Sequence, residues 1–382
     1  MRLLKDFDFH DKDVALRLDL NVPIKDGVIL DDTRILASIP TIQLLLSANC
    51  RVLIISHLGR PTEGIFDEEN SLKPVASYLS KLLRVNLPLV KELDYAACFE
   101  NENSPITILE NIRCFAGEKD NDRTLSSQIA KLCDIYVFDA FGTSHRAQSS
   151  TYGAIIESKE SCAGLLVEKE VDSLSRAFKS FQKPLISIVG GSKVSSKLSV
   201  LQKLSELSDY IIVGGGIANT FLQASGQNIG TSLVELDMLE MATKILSNGN
   251  CILPKEVITA KNFNDTNICK KSVYKLEDDD MILDISIDDS YKEIIFSAKT
   301  IIWNGPAGVF ENENFKSGTK DLAKLIASSK AFSVAGGGET IAAINEFINP
   351  NDIGYISTAG GAFLEFLEGK KLPALEALGY DF

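Results

Sequence analysis

Several short apolar segments in the first half of the chain end in basic side chains. The segment RVLIISHLGRP, residues 51–61, passes directly from apolar residues to His57 and Arg60. Arg113 follows the segment TILEN, and Arg146 follows IYVFDAFGTSH. Guanidinium groups bind phosphate and carboxylate groups through two parallel N–H bonds, which fix orientation as well as charge. These residues therefore indicate a site for a small anionic ligand.

The segments that carry these residues alternate with segments of helical period along nearly the whole chain. The first half contains VALRLDL, RVLIIS, TILEN and IYVFD, and the second contains PLISIV, YIIVGGG, TIIW, AFSVAGGG and YISTAGG. Helical stretches such as TRILASIPTIQLLLSA and SLKPVASYLSKLLR lie between them. Apolar strands that alternate with helices are typical of parallel sheets covered by helices. The pattern predicts an α/β protein with two doubly wound, Rossmann-like parallel-sheet domains.

Ligands of open parallel sheets bind beyond the carboxyl ends of the strands. In the first half, those ends supply Asp19, Asn21, Arg34, His57, Arg60, Arg113 and Arg146. Any one arginine could instead pair internally with an acid such as Asp19, Glu110 or Asp139. Four arginines on four separate loops are better explained by a small polyanionic ligand.

The strands of the second half end in glycines, as in SIVGGSKVSSK, IIVGGGIANTF, IIWNGPAGVFE and SVAGGGETIA. Glycine lets the backbone approach a ligand closely, and the helix N-termini that follow favour phosphate. Lys193 and Lys197 are four residues apart and are predicted to share one face at the start of a helix. Cations there oppose the helix dipole unless an anion lies between them. The alternative is that both lysines point into solvent.

Composition excludes several classes of protein. A length of 382 residues predicts two domains, and a net charge of −13 argues against nucleic acid as a partner. No apolar run is long enough to span a bilayer, and the first residues do not resemble a signal peptide. Seven scattered cysteines without a C-x-x-C spacing indicate reduced thiols in a cytosol, and three histidines match no zinc motif. The run EDDD at 277–280 is interpreted as a solvated turn.

Nucleotide-binding fingerprints are incomplete in this chain. No G-x-x-x-x-G-K-[ST] occurs, which excludes a P-loop enzyme, and GGGIAN matches only the first two glycines of G-x-G-x-x-G. A Rossmann-type dehydrogenase is therefore disfavoured.

Seven segments, in order along the chain, resemble the phosphoglycerate kinase family: RLDLNVP, SHLGRP, LENIR, DAFGTSHRA, GGSKVSSK, WNGPAGVFE and GGGET. The resemblance covers essentially the whole chain. It implies an N-terminal phosphoglycerate-binding domain over 1–163, a connecting or hinge helix over 164–180 and a nucleotide-binding domain over 181–365. Residues 366–382 would return to the first domain.

The same resemblance implies a cytoplasmic, monomeric, hinge-bending enzyme of glycolysis. It would transfer a phosphoryl group between 1,3-bisphosphoglycerate and ADP, giving 3-phosphoglycerate and ATP, with Mg²⁺ as cofactor. The glycerate would bind to the strand-end residues of the first half named above. Arg34 and Lys193 would stabilise the transferred group. The nucleotide would bind to Gly191, Lys193, Lys197, Gly215, Gly216, Asn304, Pro306, Gly308, Val309, Glu311, Gly337, Gly338, Glu339 and Thr340.

Four positions depart from the family pattern. Glu339 stands where Asp commonly helps to hold the magnesium, and it is longer by one methylene while keeping a hard oxygen ligand. Ser192 stands where Ala is usual, Ala307 replaces a Pro, and Gln148 replaces a His. None removes a charge from the proposed site, so activity is expected to survive. The competing hypothesis is a non-catalytic nucleotide-binding protein of the same fold.

Overall fold

The computed structural model describes all 382 residues and divides into two units. The first unit contains Met1–Asp172 and Lys370–Phe382, and the second contains Ser173–Gly369. The boundary between them falls inside the helix Leu165–Phe178. None of the helices combines the length and the apolar character needed to cross a membrane.

The first unit is built on a sheet of six parallel strands. The unit as a whole has eight strands: β1 (Asp13–Leu18), β2 (Ile24–Lys25), β3 (Val28–Ile29), β4 (Arg51–Ile55), β5 (Leu89–Val90), β6 (Ile106–Leu109), β7 (Ile135–Asp139) and β8 (Ser161–Ala163). The order across the sheet is β5-β6-β4-β1-β7-β8, and β2 pairs with β3 as a separate hairpin. Every residue of β1, β6 and β7 is buried, as expected for strands covered by helices on both faces.

The helices of this unit are α1 (Thr33–Ser47), α2 (Lys73–Leu83), α3 (Tyr95–Phe99), α4 (Arg123–Lys131) and α5 (Ala154–Glu157), followed by α6 (Leu165–Phe178). Helices α1 to α5 lie between strands along the chain; α1 and α3 pack against β4, and α5 packs against β7. The side chain of Asp122 caps α4 by accepting a hydrogen bond from the backbone N–H of Leu125 at 2.9 Å. These connections place the carboxyl ends of β1, β4, β6 and β7 at one edge of the sheet.

The second unit repeats this architecture and adds a small antiparallel sheet. Its strands are β9 (Leu185–Val189), β10 (Tyr210–Val213), β11 (Cys251–Ile252), β12 (Glu256–Ala260), β13 (Cys269–Ser272), β14 (Met281–Ile285), β15 (Thr300–Asn304), β16 (Phe332–Gly336) and β17 (Tyr355–Ser357). The parallel sheet has the order β11-β10-β9-β15-β16-β17, and the antiparallel sheet has the order β13-β12-β14.

The helices of the second unit are α7 (Leu198–Leu207), α8 (Gly215–Ala224), α9 (Leu239–Leu246), α10 (Asp289–Ser297), α11 (Ser317–Ser328), α12 (Gly338–Phe347) and α13 (Gly360–Leu367). The last helix, α14 (Pro373–Ala377), belongs to the first unit, where the backbone N–H of Ala374 donates to the carbonyl of Ser144 at 3.1 Å.

The predicted fold class is confirmed, and all nine apolar runs form strands of the two parallel sheets. Residues Ser161–Ala163, just before the predicted connecting helix, form edge strand β8. One local interpretation was incomplete. The run at 277–280 is not wholly solvated, because Asp280 is 1% exposed and accepts hydrogen bonds from the ammonium of Lys271 at 2.8 and 2.9 Å.

Candidate functional site

A group of basic side chains surrounds His57 at the carboxyl edge of the first sheet. We call this group the basic cluster; it consists of Arg17, Arg34, His57, Arg113 and Arg146. His57 directly follows Ser56 at the end of β4 and is 3% exposed. Burial, together with the positive charges of the four arginines, holds the pKa of His57 well below its usual value. The imidazole is therefore neutral at pH 7.

Arg34 is held in place by groups at the end of β1. Its Nη1 atom lies 3.1 Å from Oδ1 and 3.0 Å from Oδ2 of Asp19, and 3.0 Å from the carbonyl oxygen of Asn21. The sequence left open that an arginine pairs internally with an acid, and Arg34 does form such a pair with Asp19. It does not occur for the other two acids: Glu110 accepts from the hydroxyl of Ser71, and Asp139 accepts from the hydroxyl of Thr41.

Asn21 and Arg113 fix the turn that follows His57. Oδ1 of Asn21 accepts a hydrogen bond from the backbone N–H of Gly59 at 2.9 Å, and Nη1 of Arg113 donates to the Gly59 carbonyl at 2.6 Å. Gly59 has φ of +59°, a conformation that glycine adopts without strain. The next residue, Arg60, is exposed and extends from this fixed turn.

Arg17 is a member of the basic cluster that the sequence analysis missed. It lies inside β1, is 1% exposed, and its Nη2 atom lies 3.3 Å from Nδ1 of His57. Its Nε donates to the hydroxyl of Ser150 at 2.9 Å, and that hydroxyl donates to Oε1 of Glu118 at 2.6 Å. The signal was available, because a charged residue in the otherwise apolar strand VALRL must have buried partners.

The remaining residues of this edge follow β7. Nε of Arg146 donates to Nε2 of His145 at 3.3 Å, and burial together with Arg146 lowers the pKa of His145. Burial and the nearby Arg146 and Arg17 also lower the pKa of Arg113, to about 10. Burial is the larger cause of both shifts, and the repulsion from Arg146 adds to it because several cations lie close together here. An anionic ligand would relieve this repulsion.

The second unit contains a cavity of about 470 Å³ at the carboxyl edge of its parallel sheet. This volume lies within the usual range for small-molecule sites. The residues of the predicted nucleotide site that line it are Gly191, Gly215, Gly216, Pro306, Gly308, Val309, Glu311 and Glu339. Lys193, Lys197, Asn304, Gly337, Gly338 and Thr340 do not line the cavity itself but belong to the same strand-end loops.

Glycines of these loops serve two different purposes. Gly215 has φ of +61°, and a Cβ on Gly216 would lie 2.3 Å from the carbonyl oxygen of Ser192. Glycine is needed at both positions for the loops to pack against each other. Gly338, at the first turn of α12, has open space where its Cβ would be. At that position the glycine leaves room for a ligand to approach the helix N-terminus.

The prediction that Lys193 and Lys197 share the first turn of one helix was wrong. Helix α7 begins at Leu198, a 3₁₀ turn covers Ser195–Lys197, and Lys193 lies before both. The carboxylate of Glu235 fixes this turn, because it accepts hydrogen bonds from the backbone N–H of Ser195 at 2.9 Å and from its hydroxyl at 2.5 Å.

The two lysines consequently have different environments. Lys193 is exposed, in agreement with the alternative that the lysines point into solvent. Nζ of Lys197 is partly buried and donates to the carbonyl oxygens of Gly190 at 2.6 Å and Asn304 at 3.2 Å. Burial lowers the pKa of Lys197 to about 8, although the carboxylate of Glu339 acts in the opposite direction.

Asn304 and Thr340 connect neighbouring strand ends. Nδ2 of Asn304 donates to the carbonyl of Gly336 at 2.7 Å, whereas its Oδ1 has no partner. The hydroxyl of Thr340 donates to the same carbonyl and accepts from the backbone N–H of Gly305, both at 2.8 Å. The Thr340 hydroxyl therefore both donates and accepts a hydrogen bond within the protein, whereas Oδ1 of Asn304 is an acceptor without a donor.

Glu339 is one of the carboxylates at the cavity that could contact a metal ion. It is the second residue of α12, it is exposed, and it borders the cavity. Its carboxylate is a hard oxygen donor of the kind Mg²⁺ requires, and Mg²⁺ commonly takes one or two carboxylates plus substrate phosphates. The only cluster of three acids in the chain, Glu277, Asp279 and Asp280, already pairs with Lys261 and Lys271.

Much of the cavity wall was not found from the sequence. It is formed by Asn219, Thr231, Leu233, Phe263, Met281, Ile282, Leu283, Asp284, Ile285 and Ala307. Most of these residues lie on β14 or on loops between strands, where no charged motif marks them. Leu233 and Phe263 are large apolar side chains that are about half exposed in loops, a feature that only the structure reveals.

Comparisons with known proteins agree on one family. Residues 4–370 match the sequence profile of the family described as "Phosphoglycerate kinase". A phosphoglycerate kinase of Vibrio campbellii is 50% identical over 380 residues, which are 98% of this chain and 97% of that protein. The solved phosphoglycerate kinase of Coxiella burnetii has a TM-score of 0.94 at 45% identity, covering 99% of both chains. That of Pyrococcus horikoshii has a TM-score of 0.83 at 34% identity, covering 99% of this chain and 98% of the other.

Proposed function

Because this chain belongs to the phosphoglycerate kinase family, we propose that it catalyses reversible phosphoryl transfer from 1,3-bisphosphoglycerate to ADP, giving 3-phosphoglycerate and ATP. In the ATP-consuming direction the acceptor is a carboxyl group. The observation that carries this proposal is the basic cluster, in which four guanidinium groups surround a neutral imidazole at the edge of one sheet. Such a concentration of charge, in a chain of net charge −13, suits a small phosphate- and carboxylate-bearing ligand.

The glycerate is assigned to the first unit. It would be bound by Asp19, Asn21, Arg34, His57, Arg60, Arg113 and Arg146. Arg34 and Arg113 are oriented by hydrogen bonds to Asp19 and to the Gly59 turn, so little side-chain freedom remains to be lost on binding. His57 is neutral and would contribute a hydrogen bond rather than a charge.

The nucleotide is assigned to the cavity of the second unit. Gly191, Gly215, Gly216, Pro306, Gly308 and Val309 would surround it, and Glu311 would accept hydrogen bonds from the ribose hydroxyls. Its phosphates would extend toward Lys193, Lys197 and Asn304, and toward the first turn of α12, formed by Gly337, Gly338, Glu339 and Thr340. The open space beside Gly338 supports this direction.

The chemistry requires alignment and charge stabilisation rather than a general base. The nucleophile is the carboxylate of 3-phosphoglycerate, which is ionised at neutral pH. Arg34 and Lys193 are proposed to stabilise the charge on the equatorial oxygens during in-line transfer. Because they belong to different units, transfer is proposed to follow domain closure, which also excludes the water that would hydrolyse the donor.

Mg²⁺ is the proposed cofactor, held by the nucleotide phosphates with Glu339 as the protein ligand. When bound, the ion would neutralise charge on the phosphates. The protein is further proposed to act as a cytoplasmic monomer, without nucleic acid or membrane partners.

Thermal unfolding tests the assignment of two separate ligand sites. A ligand that binds only the folded state raises the unfolding temperature, and the increase grows with the ratio of the ligand concentration to its Kd. We expect 3-phosphoglycerate alone and Mg·ATP alone each to raise it. Stabilisation by NAD, with no effect of 3-phosphoglycerate, would contradict the proposal.

A further inference from the structure

One wall of the nucleotide cavity carries a buried amide whose oxygen has no partner. Asn219 lies in α8 and lines the cavity. Its side chain is 3% exposed, and its Oδ1 atom accepts no hydrogen bond. Buried polar side-chain atoms in native proteins nearly always have a partner, so each exception needs an explanation. At this position a bound ligand is a direct source of the missing partner.

The position of Asn219 along α8 indicates which portion of a nucleotide it meets. The first residues of α8, Gly215 and Gly216, pack against the loop of Gly191 and Ser192, which leads to Lys193 and Lys197. Asn219 is four residues after Gly215, about 6 Å farther along the helix axis. It is therefore displaced by one helical turn from the loops assigned to the phosphates.

The surroundings of Asn219 at that point are those of a base rather than of a phosphate. Helix α8 packs against β14. The same cavity is lined by the apolar residues Leu233, Phe263, Met281 and Leu283. Apolar and aromatic walls with a few placed polar groups are typical of sites that bind a planar heterocycle. In this wall, Oδ1 of Asn219 is a buried acceptor without an internal partner.

We infer that the Asn219 side chain hydrogen-bonds the polar edge of the nucleobase and gives the site a preference for adenine. This inference rests on the proposed function, since it takes the cavity to hold the nucleotide. An amide offers a carbonyl acceptor and an N–H donor side by side. Adenine offers an amino donor beside a ring-nitrogen acceptor, and asparagine pairs with adenine in this bidentate manner.

Equilibrium binding of two nucleotides tests the role of Asn219. ATP is compared with purine riboside triphosphate, which lacks only the 6-amino group, in the wild type and in Asn219→Leu. Loss of one buried hydrogen bond corresponds to about a threefold to tenfold change in Kd. We expect the wild type to bind ATP more tightly by this factor, and Asn219→Leu to bind the two nucleotides equally, which is the signature of a direct pairwise interaction.

Gln223→Leu is the matched control. Gln223 lies one turn farther along the same helix and does not line the cavity. The same change from amide to leucine at that position should leave the preference for ATP intact. Asn219→Ala gives a second variant of the same residue, with a side chain that favours helix, and it should abolish the preference as well.

Two results would overturn the inference: equal binding of both nucleotides by the wild type, or an unchanged ATP preference in either Asn219 variant. The experiment measures binding and not turnover. The proposed contact of Asn219 with the base and the proposed kinase activity are therefore tested independently. A protein that shows the Asn219-dependent preference but no phosphoglycerate-dependent turnover would refute the proposed function alone.

Discussion

Nη1 of Arg34 lies 3.0 Å from Oδ2 of Asp19, and Oδ1 of the same carboxylate lies 4.0 Å from Nδ1 of His57. Asp19 therefore orients Arg34 while remaining in contact distance of the neutral imidazole. The Arg34 side chain is 32% exposed, so it remains accessible to a ligand. This arrangement prepares a site in which the arginine is positioned before the substrate arrives.

Replacing Arg34 with alanine should suppress turnover while leaving nucleotide binding intact. The substitution removes a cation proposed to act on the transferred group, and such losses are commonly about a hundredfold or more in kcat. The measurement is kcat together with the Kd of Mg·ATP. Arg123→Ala is the control, since Arg123 is also paired with a carboxylate, Glu157, but on the exposed start of α4. Turnover of Arg34→Ala equal to that of the control would refute the role.

His57 should make the protein less stable as the pH falls below about 6.5. The pKa of His57 is lowered in the folded state, so between that value and the unfolded pKa near 6.5 the unfolded chain binds the extra proton. Stability then rises with pH across this window and is lost on acidification.

The measurement is the unfolding temperature of the wild type and of His57→Gln at pH 7.5 and pH 5.5. The difference between the two proteins isolates His57 from other groups, including Glu118, whose pKa burial raises to about 7 and which acts in the opposite sense. We expect His57→Gln to lose less stability on acidification than the wild type. An equal or larger loss would contradict the environment described for His57.

Nucleotide affinity should weaken as the pH rises through about 8. Burial lowers the pKa of Lys197 to about 8, and a phosphate binds the protonated amine more tightly. The Kd of ATP is expected to stay constant below pH 8 and to increase above it, by up to tenfold per pH unit. Lys197→Arg retains its charge in that range and should remove the inflection. An inflection that persists in Lys197→Arg would assign it to another group.

Glu339 should set the magnesium requirement. Glu339→Gln keeps the size of the side chain but removes the charge, so the Mg²⁺ concentration that gives half-maximal activity should rise about fivefold to tenfold. Glu339→Asp keeps the carboxylate and should remain close to the wild type. The Michaelis constant for the glycerate substrate serves as an internal control and should not change. An unaltered Mg²⁺ requirement in Glu339→Gln would show that Glu339 does not contact the ion.

The parallel sheets were predictable from the sequence because their strands are continuous apolar runs that must be buried on both faces. The antiparallel sheet was not, because a strand such as Cys269–Ser272, with sequence CKKS, is half exposed and lacks an apolar pattern. The basic residues were found because they follow strand ends. Arg17 was missed because it lies within a strand and takes its partners, His57 and Ser150, from residues far apart in sequence.

The error at Lys193 has a similar cause. Helical spacing placed Lys193 and Lys197 on one face, but the turn between them is fixed by Glu235, some forty residues farther along the chain. Two hydrogen bonds from Ser195 to that carboxylate hold a 3₁₀ turn in place of the first turn of α7. Local pattern carries no information about such a contact. The lining of the cavity, including Asn219, depends in the same way on how α8 and β14 meet.

The most direct test of the central claim is ATP consumption in the presence of Mg²⁺, with and without 3-phosphoglycerate, followed by coupling the product to NADH oxidation. Turnover that depends on 3-phosphoglycerate is the predicted result, and it would also show that Glu339 is compatible with metal use. No turnover, in a protein that binds both ligands, would contradict the account and favour a non-catalytic nucleotide-binding protein of the same fold.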